Sequence, residues 1–238
     1  SAVHLGHGWM ITADHVSLAD NRGVVFGEGI GFYALDPTFT PQQIGTADVK
    51  IFRLQSTPNV PAVPIHTGSI TTARSLHIGW GVGRDATALQ QATVGWGADS
   101  TSAHRWGLNN PAYFANLGYT FNSKTYTQTA IVTLAGSNTA NGIYEAALTR
   151  YDSGSGLFQW IDGAWHLAGI GITVQVNNTS FFGTVNHADA SPPRGHANYL
   201  ASIPHLSAEI IAVIPEAASL LLALIPLACA ATFLRRAK

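Results

Sequence analysis

Three prolines within seven positions, Pro58, Pro61 and Pro64, constrain this chain more than any other feature. Proline has no backbone donor and a fixed φ, so residues 58–69 exclude a regular helix or a central strand. The chain divides into two halves around an extended connection. Both halves consist of short apolar runs punctuated by glycine, asparagine and aspartate. In the first half, Ala2-Val3-His4-Leu5, Trp9-Met10-Ile11-Thr12, Val24-Val25-Phe26, Ile30-Gly31-Phe32-Tyr33-Ala34-Leu35 and residues 49–54 read as strands. In the second half, residues 75–81, 92–97, 127–134, 157–161 and 164–172 do so, with Asp162-Gly163 as a two-residue hairpin turn. Residues 98–126 read as long loops with a strand or two, and residues 197–203 as a short helix. The chain is expected to be all-β.

Composition narrows the partners. Charged residues are 11% of the chain and the net charge is -1, so no basic stripe exists to bind nucleic acid. The 24 glycines suit a protein of many tight turns. The single cysteine, Cys229, lies in a C-terminal apolar run, so the globular part cannot form a disulfide. His4 and His7 are three apart but lack a third ligand nearby, so no metal and no cofactor is expected.

The chemistry gathers around Arg150-Tyr151-Asp152-Ser153-Gly154-Ser155-Gly156-Leu157-Phe158. A serine hydroxyl becomes a nucleophile when a base takes its proton and donors hold the oxyanion that forms. Alone, Asp-Ser-Gly is ordinary turn chemistry. Two further segments precede it, each at a strand end: Ala13-Asp14-His15-Val16 and Asp48 before Val49-Lys50-Ile51-Phe52-Arg53-Leu54. Ser, His and Asp are the types that nucleophile, proton carrier and imidazole orienter require.

The flanking residues carry a resemblance. Gly8-Trp9-Met10-Ile11-Thr12-Ala13-Asp14-His15-Val16 resembles the histidine motif of chymotrypsin-like (trypsin-family) serine proteases. Asp48-Val49-Lys50-Ile51-Phe52-Arg53-Leu54 resembles their aspartate motif, and Tyr151-Asp152-Ser153-Gly154-Ser155-Gly156 their serine motif. The resemblance covers roughly residues 1–203. It implies two six-stranded Greek-key β-barrels, the first lacking its first strand, at about 1–57 and 70–203, joined by the linker 58–69 and closed by a short C-terminal helix. It implies Ser153 as nucleophile, His15 as general base then acid, Asp48 as orienter, and the backbone N–H groups of Tyr151 and Ser153 as oxyanion hole. Ala147, Ile170 and Ile172 would line the substrate cleft. Trypsin-like members carry a pocket aspartate where this chain has Ala147, so an apolar or small side chain is expected at the cleaved position. Tyr151 stands where the family has glycine, and Asp14 where it has a small residue. Asp14 reads either as a neutral surface change or as a carboxylate raising the pKa of His15.

Residues 204–214 read as a linker. From Ala217 to Leu234 there are 18 residues without a charge, followed by Arg235, Arg236 and Lys238. As a helix they would span about 27 Å against a bilayer core of about 30 Å. The basic end is expected on the cytoplasmic side. Pro215-Glu216-Ala217, the apolar run and the Arg cluster resemble a bacterial PEP-CTERM sorting signal over residues 215–238. That implies export, an exosortase-type partner and a membrane-anchored or processed protein in the cell envelope. The expected function is a serine endopeptidase acting on polypeptides. The alternative is a catalytically impaired protease-fold surface protein that acts by binding.

Overall fold

Gly6-His7-Gly8 reverses the chain at the start, with all three residues at positive φ (107°, 50° and 81°). It joins β1 (Val3–Gly6) to β2 (Trp9–Thr12). The computed structural model describes residues 1–18, 23–27, 31–82, 102–135, 146–149, 151–176, 179–180 and 196–214. Next come β3 (Gly23–Phe26) and β4 (Gly31–Ala34), which pair only with each other, then β5 (Gln42–Gln43) and β6 (Lys50–Arg53). The order β1-β2-β6-β5 forms the first sheet, antiparallel throughout.

Residues 55–74 carry no strand and fasten onto the second half. His66 N–H donates to the Leu167 carbonyl at 2.8 Å, and Leu167 N–H to that of Pro64 at 2.8 Å. The second sheet contains β7 (Ser75–Gly81), β8 (Ala103–Asn109), β9 (Pro111–Phe121), β10 (Lys124–Ala135), β11 (Gly156–Ile161), β12 (Ala164–Val176), β13 (Thr179–Ser180) and β14 (His196–Ser202). Its order is β8-β7-β11-β12-β14-β10-β9, with β13 beside β12. Asp162-Gly163, both at positive φ, turns β11 into β12 as a two-residue hairpin.

Three expectations change. The described ladders do not close into barrels: β1 and β3 each keep an unpaired edge, and a single bridge between Leu35 and Leu54 ties the β3–β4 hairpin to the first sheet. Much of 98–126 is not loop, because β8, β9 and the start of β10 occupy it. The helix is α1 (Ile203–Val213), downstream of its expected place and over the expected linker. Residues 197–202 instead form β14, between β12 and β10. Ala197, Tyr199, Leu200 and Ala201 are buried on both faces of the sheet, and such an unbroken apolar run has no period that separates a central strand from a helix. Pro204 then opens α1, where a missing N–H costs nothing.

One apolar cluster runs through both sheets, joining Val3, Trp9, Ile11 and Ile51 to Leu117, Phe158, Ile170 and Tyr199 and to Ile203 and Ile210 of α1. The two sheets therefore share a core. The apolar run 217–234 lies outside the described residues, and no helix among the described residues is long and apolar enough to cross a membrane.

The inner face of β7 carries His77, which is buried and makes no hydrogen bond through either ring nitrogen among the described residues. Burial pushes its imidazole down to about 4. An unfolded histidine titrates near ~6.5. Between those values the unfolded chain binds the extra proton, so stability falls as pH drops through ~6.5 and the loss is complete below about 4. Lowering the pH from 7 to 4.5 is expected to cost ~2 kcal/mol through this residue. Urea unfolding of wild type and His77→Leu at both pH values checks it: the variant should lose that much less.

Candidate active site

Register brings the first two residues together. Thr12 of β2 pairs with Lys50 of β6, so the segments just beyond those strand ends lie side by side. Asp48 is fully buried and His15 half-buried. The His15 backbone N–H donates to Asp48 Oδ1 at 2.9 Å, and its ring Nδ1 lies 2.5 Å from Asp48 Oδ2. Lys50 holds the same turn from below, its Nζ donating to the carbonyls of Asp14 (2.7 Å) and Val16 (2.5 Å). Burial lowers the Lys50 ammonium, and Asp14 and Asp48 pull it back toward the charged form.

The third residue sits on a turn that the same strand shapes. Gly154, at φ 84°, lies so close to Ser1 and Thr12 that a Cβ would stand 2.0 Å from the Ser1 carbonyl oxygen and 2.2 Å from Thr12 Oγ1. Glycine is therefore required there. Thr12 Oγ1 donates to the Ser1 carbonyl at 2.6 Å, and the Ser1 nitrogen donates to that of Ser153 at 2.9 Å. On the other side, Gly154 N–H donates to the Gly171 carbonyl and Gly171 N–H to that of Ser155, each at 2.8 Å. The turn is thus pinned between β2 and β12. It leaves Ser153 Oγ 2.7 Å from His15 Nε2.

Asp48 needs a donor at Nδ1, which leaves the Nε2 lone pair facing the serine hydroxyl. This arrangement can take the hydroxyl proton and balance the resulting imidazolium with a buried carboxylate. Tyr151 adopts φ 74°, the left-handed conformation that glycine favours, with its side chain 48% exposed. Its Cβ does not prevent the turn, although a non-glycine residue there costs about 1–2 kcal/mol. The Ser153 N–H makes no hydrogen bond among the described residues.

The long hairpin β9–β10 of the second sheet covers this unit, a contribution sequence reasoning missed. Tyr119 OH donates to Asp48 Oδ2, and Asp48 N–H donates to Gln128 Oε1 at 2.5 Å. The Phe121 ring meets the His15 ring edge-on at 5.5 Å. Asp14 engages the hairpin. Its Oδ2 accepts from Lys124 Nζ (2.6 Å) and Tyr126 OH (3.0 Å), so this carboxylate is an anchor for the hairpin. The available signal was the alternation Leu117, Tyr119, Phe121 ahead of Asn122-Ser123, a strand followed by a turn.

Of the three expected wall residues, Ala147 is half-buried beside Leu148, whose N–H donates to Asn198 Oδ1 at 2.7 Å. Ile170 and Ile172 are fully buried in the shared core, so their side chains form no exposed wall.

No family model matches the chain, and no curated protein matches it in sequence. Among solved structures it is similar to the active form of the Rv3671c protease from M. tuberculosis, at 11% identity and a TM-score of 0.56, over 88% of this chain and 70% of that one. It is also similar to the inactive form of the same protease, at 12% identity and a TM-score of 0.53, over 90% and 82%. The likeness is one of fold alone: the described residues form two antiparallel sheets and a β-hairpin with one short helix.

Asp152, beside the serine, offers a test of the turn. Its carboxyl is buried against Gly79 and Gly81 of β7 and accepts the Thr149 N–H at 2.9 Å. Burial pushes it up to about 6, with Thr149, the Ser1 nitrogen and Arg105 drawing it partly back. The folded protein therefore binds the extra proton between the ordinary carboxylate range near ~4 and about 6, and stability falls as pH rises through that window. Asp152→Asn keeps an acceptor for Thr149 and is expected to stabilise the protein above pH 6 by up to ~3 kcal/mol, as read by denaturant unfolding at pH 7.5.

Proposed function

We propose that the protein is a serine endopeptidase, with Ser153 as nucleophile, His15 as general base and then acid, and Asp48 as the residue that orients His15. The single observation that supports this reading is the continuous hydrogen-bonded line from Asp48 Oδ2 through His15 to Ser153 Oγ, at 2.5 and 2.7 Å. Such a line is the minimum equipment for acyl transfer by an otherwise weak hydroxyl nucleophile.

The steps follow from it. Ser153 Oγ attacks the scissile carbonyl carbon as its proton passes to His15 Nε2. The imidazolium is stabilised by Asp48, and the carbonyl oxygen becomes an oxyanion to which the N–H groups of Tyr151 and Ser153 donate. Each such donor typically contributes about 2.7–4 kcal/mol to the transition state. His15 then gives the proton to the leaving amine nitrogen and the C–N bond breaks, leaving an ester on Ser153. Water, deprotonated by His15, attacks this ester, and Ser153 regains its proton when the acid product leaves.

The substrate is a polypeptide. Ala147 supplies no charge at its position, which favours a small or apolar side chain at the cleaved residue. The apolar run and basic end of residues 215–238 support an exported, membrane-anchored or surface-sorted bacterial protein handled by an exosortase-type enzyme.

An active-serine phosphonate tests the central claim. It should label wild type at one residue, Ser153, and Ser153→Ala should neither label nor hydrolyse peptides. Equal labelling of the variant would overturn the proposal.

A further inference from the structure

We propose that Tyr119 is a positioning residue for the acid–base pair, through which the β9–β10 hairpin of the second sheet sets the proton affinity of His15. The inference rests on the reading of His15, Asp48 and Ser153 given above and assigns the hairpin a part in it.

The Asp48 carboxylate is fully buried and has two oxygens to satisfy. Oδ1 takes the His15 backbone N–H, a neighbour through the first sheet. Oδ2 is shared between His15 Nδ1 and the Tyr119 hydroxyl, which comes from the other sheet. The same hairpin holds the Asp48 main chain through Gln128 Oε1. The carboxylate is therefore fixed from both sheets, and its only side-chain hydroxyl donor among the described residues is Tyr119.

The hairpin is built for this placement. Asn122 and Ser123 both adopt positive φ (48° and 64°), a two-residue turn that matches strand twist and fixes register. Tyr119 then pairs with Tyr126, and Leu117 with Gln128. Tyr119, Phe121 and Gln128 fall on one face, and that face meets Asp48 and His15. Tyr119 is buried, with its ring against Tyr126 at 5.4 Å. Burial and the Asp48 charge hold its phenol far above the ordinary tyrosine range, so it remains a donor at every working pH.

The chemical consequence has a sign. A hydrogen bond into Oδ2 takes up part of the carboxylate charge, so the imidazolium feels a weaker anion and His15 loses its proton more readily. Without the hydroxyl, Asp48 acts on His15 undiminished, still held at Oδ1 by the His15 backbone N–H. The other ionisable groups around the pair are Asp14 on the His15 segment, Lys50 on β6, and Lys124 and Tyr126 on β10. Tyr119→Phe leaves each of these groups in place.

Two readouts on the full chain test this. The first is the ring-nitrogen NMR titration of His15 in the Ser153→Ala background, with and without Tyr119→Phe. The second is the pH dependence of phosphonate labelling of Ser153, with and without the same change. Tyr119→Phe keeps the buried ring and is expected to raise the His15 titration and the acid limb of labelling together by about 0.5–1 pH unit. Labelling at pH 7 should slow by up to about three- to tenfold, the size of that shift. A more acidic phenol of the same shape, 3,5-difluorotyrosine placed at position 119, should move both curves the opposite way. It supplies the comparison if the phenylalanine variant does not fold. Unchanged titration of His15 in the folded variants would overturn the inference whatever the labelling shows. A shifted titration in a protein whose Ser153 never labels would leave the positioning role standing and remove the endopeptidase reading instead.

Discussion

Asp48 carries a charge with no access to water, and the structure is arranged to satisfy it. An isolated buried carboxylate costs several kcal/mol, and only well-aimed donors offset that. Here the donors come from two places: the turn after β2, which contributes the His15 backbone N–H and ring, and β9, which contributes the Tyr119 hydroxyl, while Gln128 of β10 accepts the Asp48 backbone N–H. The β9–β10 hairpin is far in sequence from the turn after β2. Folding has to bring both sheets together before the carboxylate is satisfied, so the demand of one ion couples the two halves of the chain. The shared apolar core provides the non-directional part of that coupling, and Asp48 provides the directional part.

The nucleophile turn depends on the same geometry from the opposite side. Gly154 lies against Ser1 and Thr12, and Thr12 ends the strand that leads to His15. Strand β2 thus places both the imidazole and the serine, one through the chain that follows it and one through a side-chain hydroxyl. The line from Asp48 to Ser153 is short because both ends are referred to one strand, while β12 closes the turn from behind through Gly171.

Much of this was legible in the sequence, and the remainder has a physical reason for being hidden. His15, Asp48 and Ser153 each sit at the end of a short apolar run with a distinctive local chemistry, so local reading finds them. The Asp162-Gly163 hairpin is equally local, because its two residues alone dictate the turn. The strand around Tyr199 was missed because a segment buried on both faces shows no alternation. Ile170 and Ile172 were expected to line the substrate cleft and lie buried in the core, within a stretch of β12 that is buried on both faces. Tyr119 was missed for a different reason. Its alternation with Leu117 and Phe121 marks a strand but no role, and the role comes from a residue 71 positions away.

Strand parity also limits how this protein can vary. In the β9–β10 hairpin successive side chains alternate faces, and the two-residue turn at Asn122-Ser123 fixes which face meets the first sheet. A single inserted or deleted residue between the turn and Tyr119 would rotate Tyr119 and Phe121 to the far side and leave Asp48 facing whatever replaced them. A change of two residues would restore the face but draw the hydroxyl about 7 Å along the strand. The length of this hairpin is therefore a quantity the chain can alter in neither odd nor even steps without abandoning the carboxylate.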